Sequence, residues 1–185
     1  MQANLEPKVS LLDRQQMQRV IRRMAGEVVE MDGVEGLMLV GIRTRGVPLA
    51  QRMADAIEEL EGVKVPQGVL DITLYRDDLS TIAPQPVVKA TRLPEDIAGK
   101  LVVLCDDVLY TGRTGRAAID ALLDYGRPRA VRLAVLIDRG HRELPVQADI
   151  VGRNVPTARR EVVEVLFDET DGSEEVRLMT RKEDA

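Results

Sequence analysis

The chain has 185 residues, with 26 basic and 31 acidic side chains and a formal net charge of −5, enough for one domain with a real core and a poor fit to a general nucleic-acid coat. One cysteine, Cys105, and one histidine, His141, exclude a disulfide framework, a Cys-based zinc site and a multi-histidine metal centre, and with no Trp and one Phe aromatic platforms for single strands cannot be numerous. No apolar run approaches the roughly 20 residues of a membrane span and residues 1–10 lack a leader-like apolar core, so the expectation is a cytoplasmic protein with no membrane partner.

Ser10 or Asp13 can cap a first helix running to about Met31, whose apolar stripe is Met17, Val20, Ile21, Met24, Val28 and Met31. Arg19, Arg22 and Arg23 gather on another face of it. Residues 37–40 form a short apolar strand, followed by Gly-Ile-Arg-Thr-Arg-Gly (41–46). Pro48 then suits the first turn of a helix with Leu49, Met53, Ile57 and Leu60 on one side. Residues 69–75 read as a strand, and the polar, proline-bearing stretch 76–92 reads as a long, functional loop.

The continuous apolarity of residues 101–105 predicts a buried strand, ending at Asp106 and Asp107. A helix follows, carrying Ala117, Ile119, Ala121, Leu122 and Leu123, with Gly126 at its C′ position. Residues 130–137 form another buried strand and 138–149 a loop. Short strands are expected at 150–152 and 162–167, with a last edge strand at 176–179. This order means an α/β fold with a mostly parallel sheet flanked by helices, in one domain spanning 1–185 without repeats or linkers.

Charge is unevenly spread. Residues 14–23 hold four arginines and no acid, and residues 139–160 hold five arginines against Glu143 and Asp149. From 161 onward, nine acidic residues face Arg177, Arg181 and Lys182, and residues 169–185 read as an acidic tail.

Chemistry concentrates where the 101–105 strand meets the following helix. Ligands of open α/β sheets sit at the carboxyl ends of strands. There, a Thr-Gly-Arg-Thr turn at a helix N-terminus favours a phosphate, and two adjacent carboxylates can take ribose hydroxyls or hold Mg²⁺. A Walker A loop and a dinucleotide fingerprint are both absent. Spacing alone leaves open an ordinary strand-to-helix connection with two capping acids.

The run Val-Val-Leu-Cys-Asp-Asp-Val-Leu-Tyr-Thr-Gly-Arg-Thr (102–114) resembles the phosphoribosyl-pyrophosphate (PRPP) motif of the type I phosphoribosyltransferases. Segments 41–46, 70–79, 138–145 and 152–157 look like one branch of that family, and the resemblance covers the chain from about Val9 to Asp168. In that branch a uracil phosphoribosyltransferase also regulates pyrimidine genes through RNA.

The resemblance implies the type I fold with a small hood and a flexible lid. It implies that Asp106 and Asp107 bind the ribose hydroxyls with Mg²⁺ nearby, that Val108 and Leu109 belong to the same PRPP-binding run, and that Tyr110, Thr111, Gly112, Arg113 and Thr114 hold the 5-phosphate. Thr44 and Arg45 would neutralise the pyrophosphate, and Tyr75, Arg76 and the loop to Arg92 would form the lid. Asp106, Asp107, Arg45 and Arg76 are thus its candidate catalytic residues. The base would be read at Ile137, Asp138, Arg139, Ile150 and Val151, largely through backbone groups. A tyrosine at position 110, where purine-type relatives commonly carry an acid, fits uracil; orotate or a purine remains open as acceptor.

The same resemblance implies UMP or UTP as effectors, homodimers or larger assemblies, and attenuation through binding of pyrimidine-operon leader mRNA. The RNA contacts would be Arg19, Arg22, Arg23, His141, Arg142, Arg153 and Arg159. Here the chain departs from its pattern: Gly26 stands where a histidine is usual, Arg22 where a small polar residue is, Gln147 for an arginine, Arg153 for a lysine, and Ala-Arg-Arg (158–160) for Ser-Arg/Lys-Ser. The alternative is a salvage enzyme that has lost specific RNA binding.

Overall fold

The computed structural model describes residues 5–77 and 90–181. Five strands, β2 (Leu37–Ile42), β3 (Gln67–Leu70), β4 (Leu101–Leu109), β5 (Ala130–Asp138) and β6 (Ile150–Asn154), build an all-parallel sheet in the order β3-β2-β4-β5-β6. The apolar runs of β2 and β4 are buried on both faces, as a parallel sheet demands. Alternate side chains divide between two cores. Leu37, Leu39, Leu101, Val103 and Cys105 pack with α1 (Arg14–Asp32) and α2 (Gly46–Glu61), whereas Met38, Val40, Val102 and Leu104 pack with α3 (Arg113–Leu123).

Asp13, not Ser10, caps α1: its carboxylate accepts the Gln16 N–H at 2.8 Å while the Gln16 side chain takes the Asp13 N–H at 2.9 Å. Met17, Ile21, Met24 and Val28 are buried as expected, but Met31 is exposed, as is Leu60 of α2. Both lie in the last turn of their helix, beyond the sheet they would have packed on.

A second sheet, absent from the sequence reading, joins β1 (Leu5–Leu12), β8 (Glu175–Arg181) and β7 (Glu161–Leu166) in antiparallel order β1-β8-β7. Leu5, Pro7, Val9 and Leu11 of β1 alternate with Glu6, Lys8 and Ser10, yet only Leu12 of the strand is buried. β8 is therefore the central strand of this sheet rather than an edge strand. A short helix, α4 (Asp168–Asp171), lies between β7 and β8, so the described part of the expected acidic tail is a folded hairpin.

Two further expectations are corrected. The strand read at 69–75 is β3 followed by a 3₁₀ turn at Thr73–Tyr75, because the Asp71 carboxylate accepts the Thr73 N–H at 2.8 Å and bends the chain. Gly126 lies beyond C′, since Asp124 is the C-cap of α3. Most of the loop expected at 76–92 falls outside the described residues.

Candidate active site

The crevice forms where the strand order reverses. From β2 the chain moves outward to β3, and from β4 it moves the other way to β5 and β6, so loops after β2 and β4 diverge and leave a gap between them. Residues 43–45 follow β2 on one side of this gap, and Asp106 to Thr114 stand on the other. The Arg43–Thr44 peptide is cis. Gly41 and Gly46 let the loop and the first turn of α2 lie directly on the strands: a Cβ on Gly41 would sit 2.5 Å from the Val47 Cα, and one on Gly46 would overlap the Cys105 carbonyl oxygen.

β4 runs four residues further than its apolar core suggests, so both carboxylates belong to the strand itself and not to the turn after it. This fixes their backbone through the β4–β5 ladder, Asp106 opposite Val135 and Val108 opposite Ile137. Asp106 is buried, and its carboxylate accepts the Asp107 N–H at 3.0 Å. Burial pushes its carboxyl well above the usual range; the neighbouring Asp107 charge adds to this, and Arg76 offsets it in part. Buried in the strand just below them, the Cys105 thiol is also pushed up and is inert core.

After Leu109 the chain turns through Gly112, whose φ of 92° suits glycine, into the first turn of α3, with the Arg113 N–H directed at Thr111 Oγ1 at 3.4 Å. Early amides of a helix have no partner within it and collect anions. A cleft of about 330 Å³ opens over this turn, lined by Arg76, residues 108–114 and Glu143. The sequence reading missed what braces it. The Thr111 carbonyl accepts the Glu143 and Leu144 N–H groups at 2.9 and 3.0 Å, and Arg113 pairs with both Glu143 and Asp77. Arg142 lies inside this brace, donating to the Val146 and Tyr110 carbonyls at 2.8 Å each and to Asp138.

Beside it lies a second, more open cleft of about 460 Å³, lined by residues 138–142 and 154–157. Arg139 is buried there, with its guanidinium 4.0 Å from the centre of the Tyr110 ring and its Nε 3.1 Å from Thr157 Oγ1. His141 meets the Tyr110 ring edge-on, and its Nε2 lies 2.6 Å from the Thr157 carbonyl oxygen. Asp138 and Arg139 thus reach this cleft. The Ile137 side chain is core, leaving only its backbone available. Ile150 and Val151 are not brought there: they pair with Ala134 and Val135, below the carboxyl end of β5, and the Ile150 side chain is buried.

The candidate RNA residues divide. Arg19 and Arg159 are exposed and hold no hydrogen bond or ion pair among the described residues. Arg22 pairs with Glu59, Arg23 with Glu27 and the Gly152 carbonyl, and Arg153 donates to the Leu11 carbonyl at 2.7 Å, yet all three remain exposed. Arg142 is spent within the protein.

Comparison with known proteins decides the family. The Phosphoribosyl transferase domain profile matches residues 9–168. Proteins named "Bifunctional protein PyrR" match almost end to end: that of Thermus thermophilus is 60% identical over 176 residues, covering 95% of this chain and 97% of its own, and that of Deinococcus radiodurans 56% identical over 173 residues, covering 93% and 94%. The chain belongs to the PyrR family of phosphoribosyltransferases. Among solved structures, a hypoxanthine-guanine phosphoribosyltransferase of Bacillus anthracis superposes with a TM-score of 0.71 at 18% identity, covering 93% of this chain and 98% of its own. The Trypanosoma cruzi hypoxanthine enzyme gives 0.72 at 16%, covering 95% and 98%. The type I fold of this family is therefore the fold of the chain. Among the described residues no helix is long and apolar enough to cross a membrane.

Proposed function

We propose that the protein transfers the phosphoribosyl group of PRPP to N1 of uracil, giving UMP and pyrophosphate, and that UMP promotes its binding to leader RNA of pyrimidine genes. The observation that carries the enzymatic reading is the pairing, across the gap between β2 and β4, of the Asp106–Asp107 carboxylates with the 43–46 loop. The bifunctional name of its relatives supports the second activity.

In this reading Asp106 and Asp107 take the ribose hydroxyls, and the amides of residues 111–114 take the 5-phosphate. Thr44 and Arg45 meet the pyrophosphate, and the cleft beside Tyr110 and Arg139 takes the base. The C1–O bond to pyrophosphate breaks as the bond to uracil N1 forms, through an oxocarbenium-like state, and the N1 proton passes to the departing pyrophosphate. Rate then comes from alignment and from charge placed before the reaction, with little call for a strong base. The donor set fits Mg²⁺: no cluster of three or more His, Cys, Asp or Glu forms a cage among the described residues, but a buried carboxyl beside a second carboxylate gains from a divalent cation shared with substrate oxygens. When bound, Mg²⁺ would screen the diphosphate charge.

Labelled uracil with PRPP and Mg²⁺ tests the enzyme: equal amounts of UMP and pyrophosphate are expected, with a loss of about 10³-fold or more in Asp106→Asn/Asp107→Asn. Parent-like turnover by that double variant would refute the ribose assignment. Filter binding of a pyrimidine-operon leader RNA over a salt series, with and without UMP, tests the regulator. UMP-enhanced binding that weakens with salt is the expected result. The internal engagement of Arg142 favours a second reading, a salvage enzyme without specific RNA binding, which an absence of binding at moderate salt would establish.

A further inference from the structure

Arg45, which the reading above assigns to the pyrophosphate, is tied to the far end of the chain. Its Nε and Nη2 donate to the two oxygens of Asp171, at 3.1 and 2.8 Å, in a fork-to-fork pair. Asp171 closes α4 in the hairpin between β7 and β8, more than a hundred residues away in sequence. We propose that Asp171 is a positioning residue for the pyrophosphate end of the site, holding the Arg45 guanidinium so that its remaining N–H groups face the incoming diphosphate. This rests on the assignment of Arg45 to that loop.

Three observations separate a support from a competitor that a ligand must displace. An arginine has five N–H donors and this pair uses two, so Nη1 with both its protons and one proton of Nη2 stay free while Asp171 remains in place. Asp171 is itself anchored, its Oδ2 accepting the N–H of the fully buried Phe167 at 2.9 Å. The hairpin is nailed down by separate pairs: Arg14 with Asp168 and Glu174, and Arg52 with Glu169 and Glu174, with the Glu174 side chain only 2% exposed.

Without Asp171, the carboxylates whose fields reach Arg45 are Asp107 and Glu164. A released guanidinium would be drawn toward Asp107, taking a donor from the diphosphate and a carboxylate from the ribose together. Removing the Asp171 charge alone would favour an anion, but across a partly solvated site that gain is screened. Loss of a fixed two-point hold is the larger effect.

The experiment compares Asp171→Asn, Arg45→Ala and Glu169→Gln in steady-state assays of uracil and PRPP, with pyrophosphate as product inhibitor. Asp171→Asn is expected to raise the KM for PRPP and the inhibition constant for pyrophosphate together, by about tenfold, while the KM for uracil stays unchanged. Glu169→Gln, which loosens the same hairpin without touching Arg45, is expected to leave all three unchanged. In an Arg45→Ala background, Asp171→Asn should add nothing further.

Should the asparagine variant not fold, Asp171→Glu, whose carboxylate is displaced by one methylene, is expected to show the same pattern at roughly two- to threefold amplitude. A raised PRPP KM in Arg45→Ala beside an unchanged or lowered one in Asp171→Asn would overturn the inference alone. An equal rise in Glu169→Gln would do the same, since the effect would then belong to hairpin docking. An unchanged KM in Arg45→Ala would overturn the loop assignment and the inference with it.

Discussion

Gly41→Ala puts one methyl group where the first turn of α2 lies directly on β2. Its Cβ would lie 2.5 Å from the Val47 Cα, 2.6 Å from the Gly46 oxygen and 2.7 Å from the Val47 nitrogen. All three are backbone atoms of α2's first turn, so no rotamer change relieves the overlap. Carbon atoms in contact prefer about 3.5–4.0 Å, so the turn must retreat by about 1 Å from β2. Overpacking of this kind costs about 1–3 kcal/mol, and at about 2–4 °C per kcal/mol in a domain of this size the melting temperature should fall by roughly 2–12 °C. The catalytic effect should be larger in proportion, because residues 43–45 ride on that turn. A displacement of about 1 Å in a substrate-positioning group can cost about 10²-fold in rate. Thermal melting and kcat/KM for PRPP, measured on one preparation, test this. A variant with the parent's melting temperature and parent-like kcat/KM would refute the wedge argument for this loop.

Three further outcomes are expected. Gly26→Ala, in the body of α1 where a Cβ meets nothing within 4 Å, should stabilise the protein by about 0.5–1 kcal/mol, read as a higher melting temperature; a lower one would show that the site needs glycine. Asp106→Asn should melt above the parent at neutral pH while losing turnover. The folded-state carboxyl of Asp106 is raised, so its contribution to stability is present below the unfolded value near 3.8 and is lost as pH rises through the folded value; the advantage of asparagine should therefore shrink toward pH 4 and grow above it, and a pH-independent difference would contradict the assignment. Arg142→Ala should impair PRPP binding as well as any RNA binding, because its guanidinium holds the Tyr110 carbonyl of the turn proposed to take the 5-phosphate; unchanged PRPP kinetics would show the brace to be dispensable.

Local chemistry made much of this protein legible. The acidic pair at the end of an apolar strand, the Thr-Gly-Arg-Thr turn and the helix behind it are contiguous, and short-range geometry alone puts carboxylates beside helix amides. The same holds for the Asp13 cap and for the two apolar runs of β2 and β4, whose burial on both faces follows from their composition. Strand and helix order sufficed for a parallel sheet with its site at the carboxyl ends.

Contacts between distant segments could not be read that way. β1 alternates apolar and polar residues, but nothing in that local pattern names its partner, β8, at the other end of the chain. Arg142 has the look of a surface cation in sequence and becomes a brace only when 138–149 folds back over the turn before α3. Asp171 reads as one more acid in an acidic tail until the hairpin brings it against Arg45. A residue's type fixes what it can bond. Which of its possible partners it meets is set by long-range topology, where the cost of closing the chain is met by burial elsewhere and leaves no mark in the neighbouring sequence.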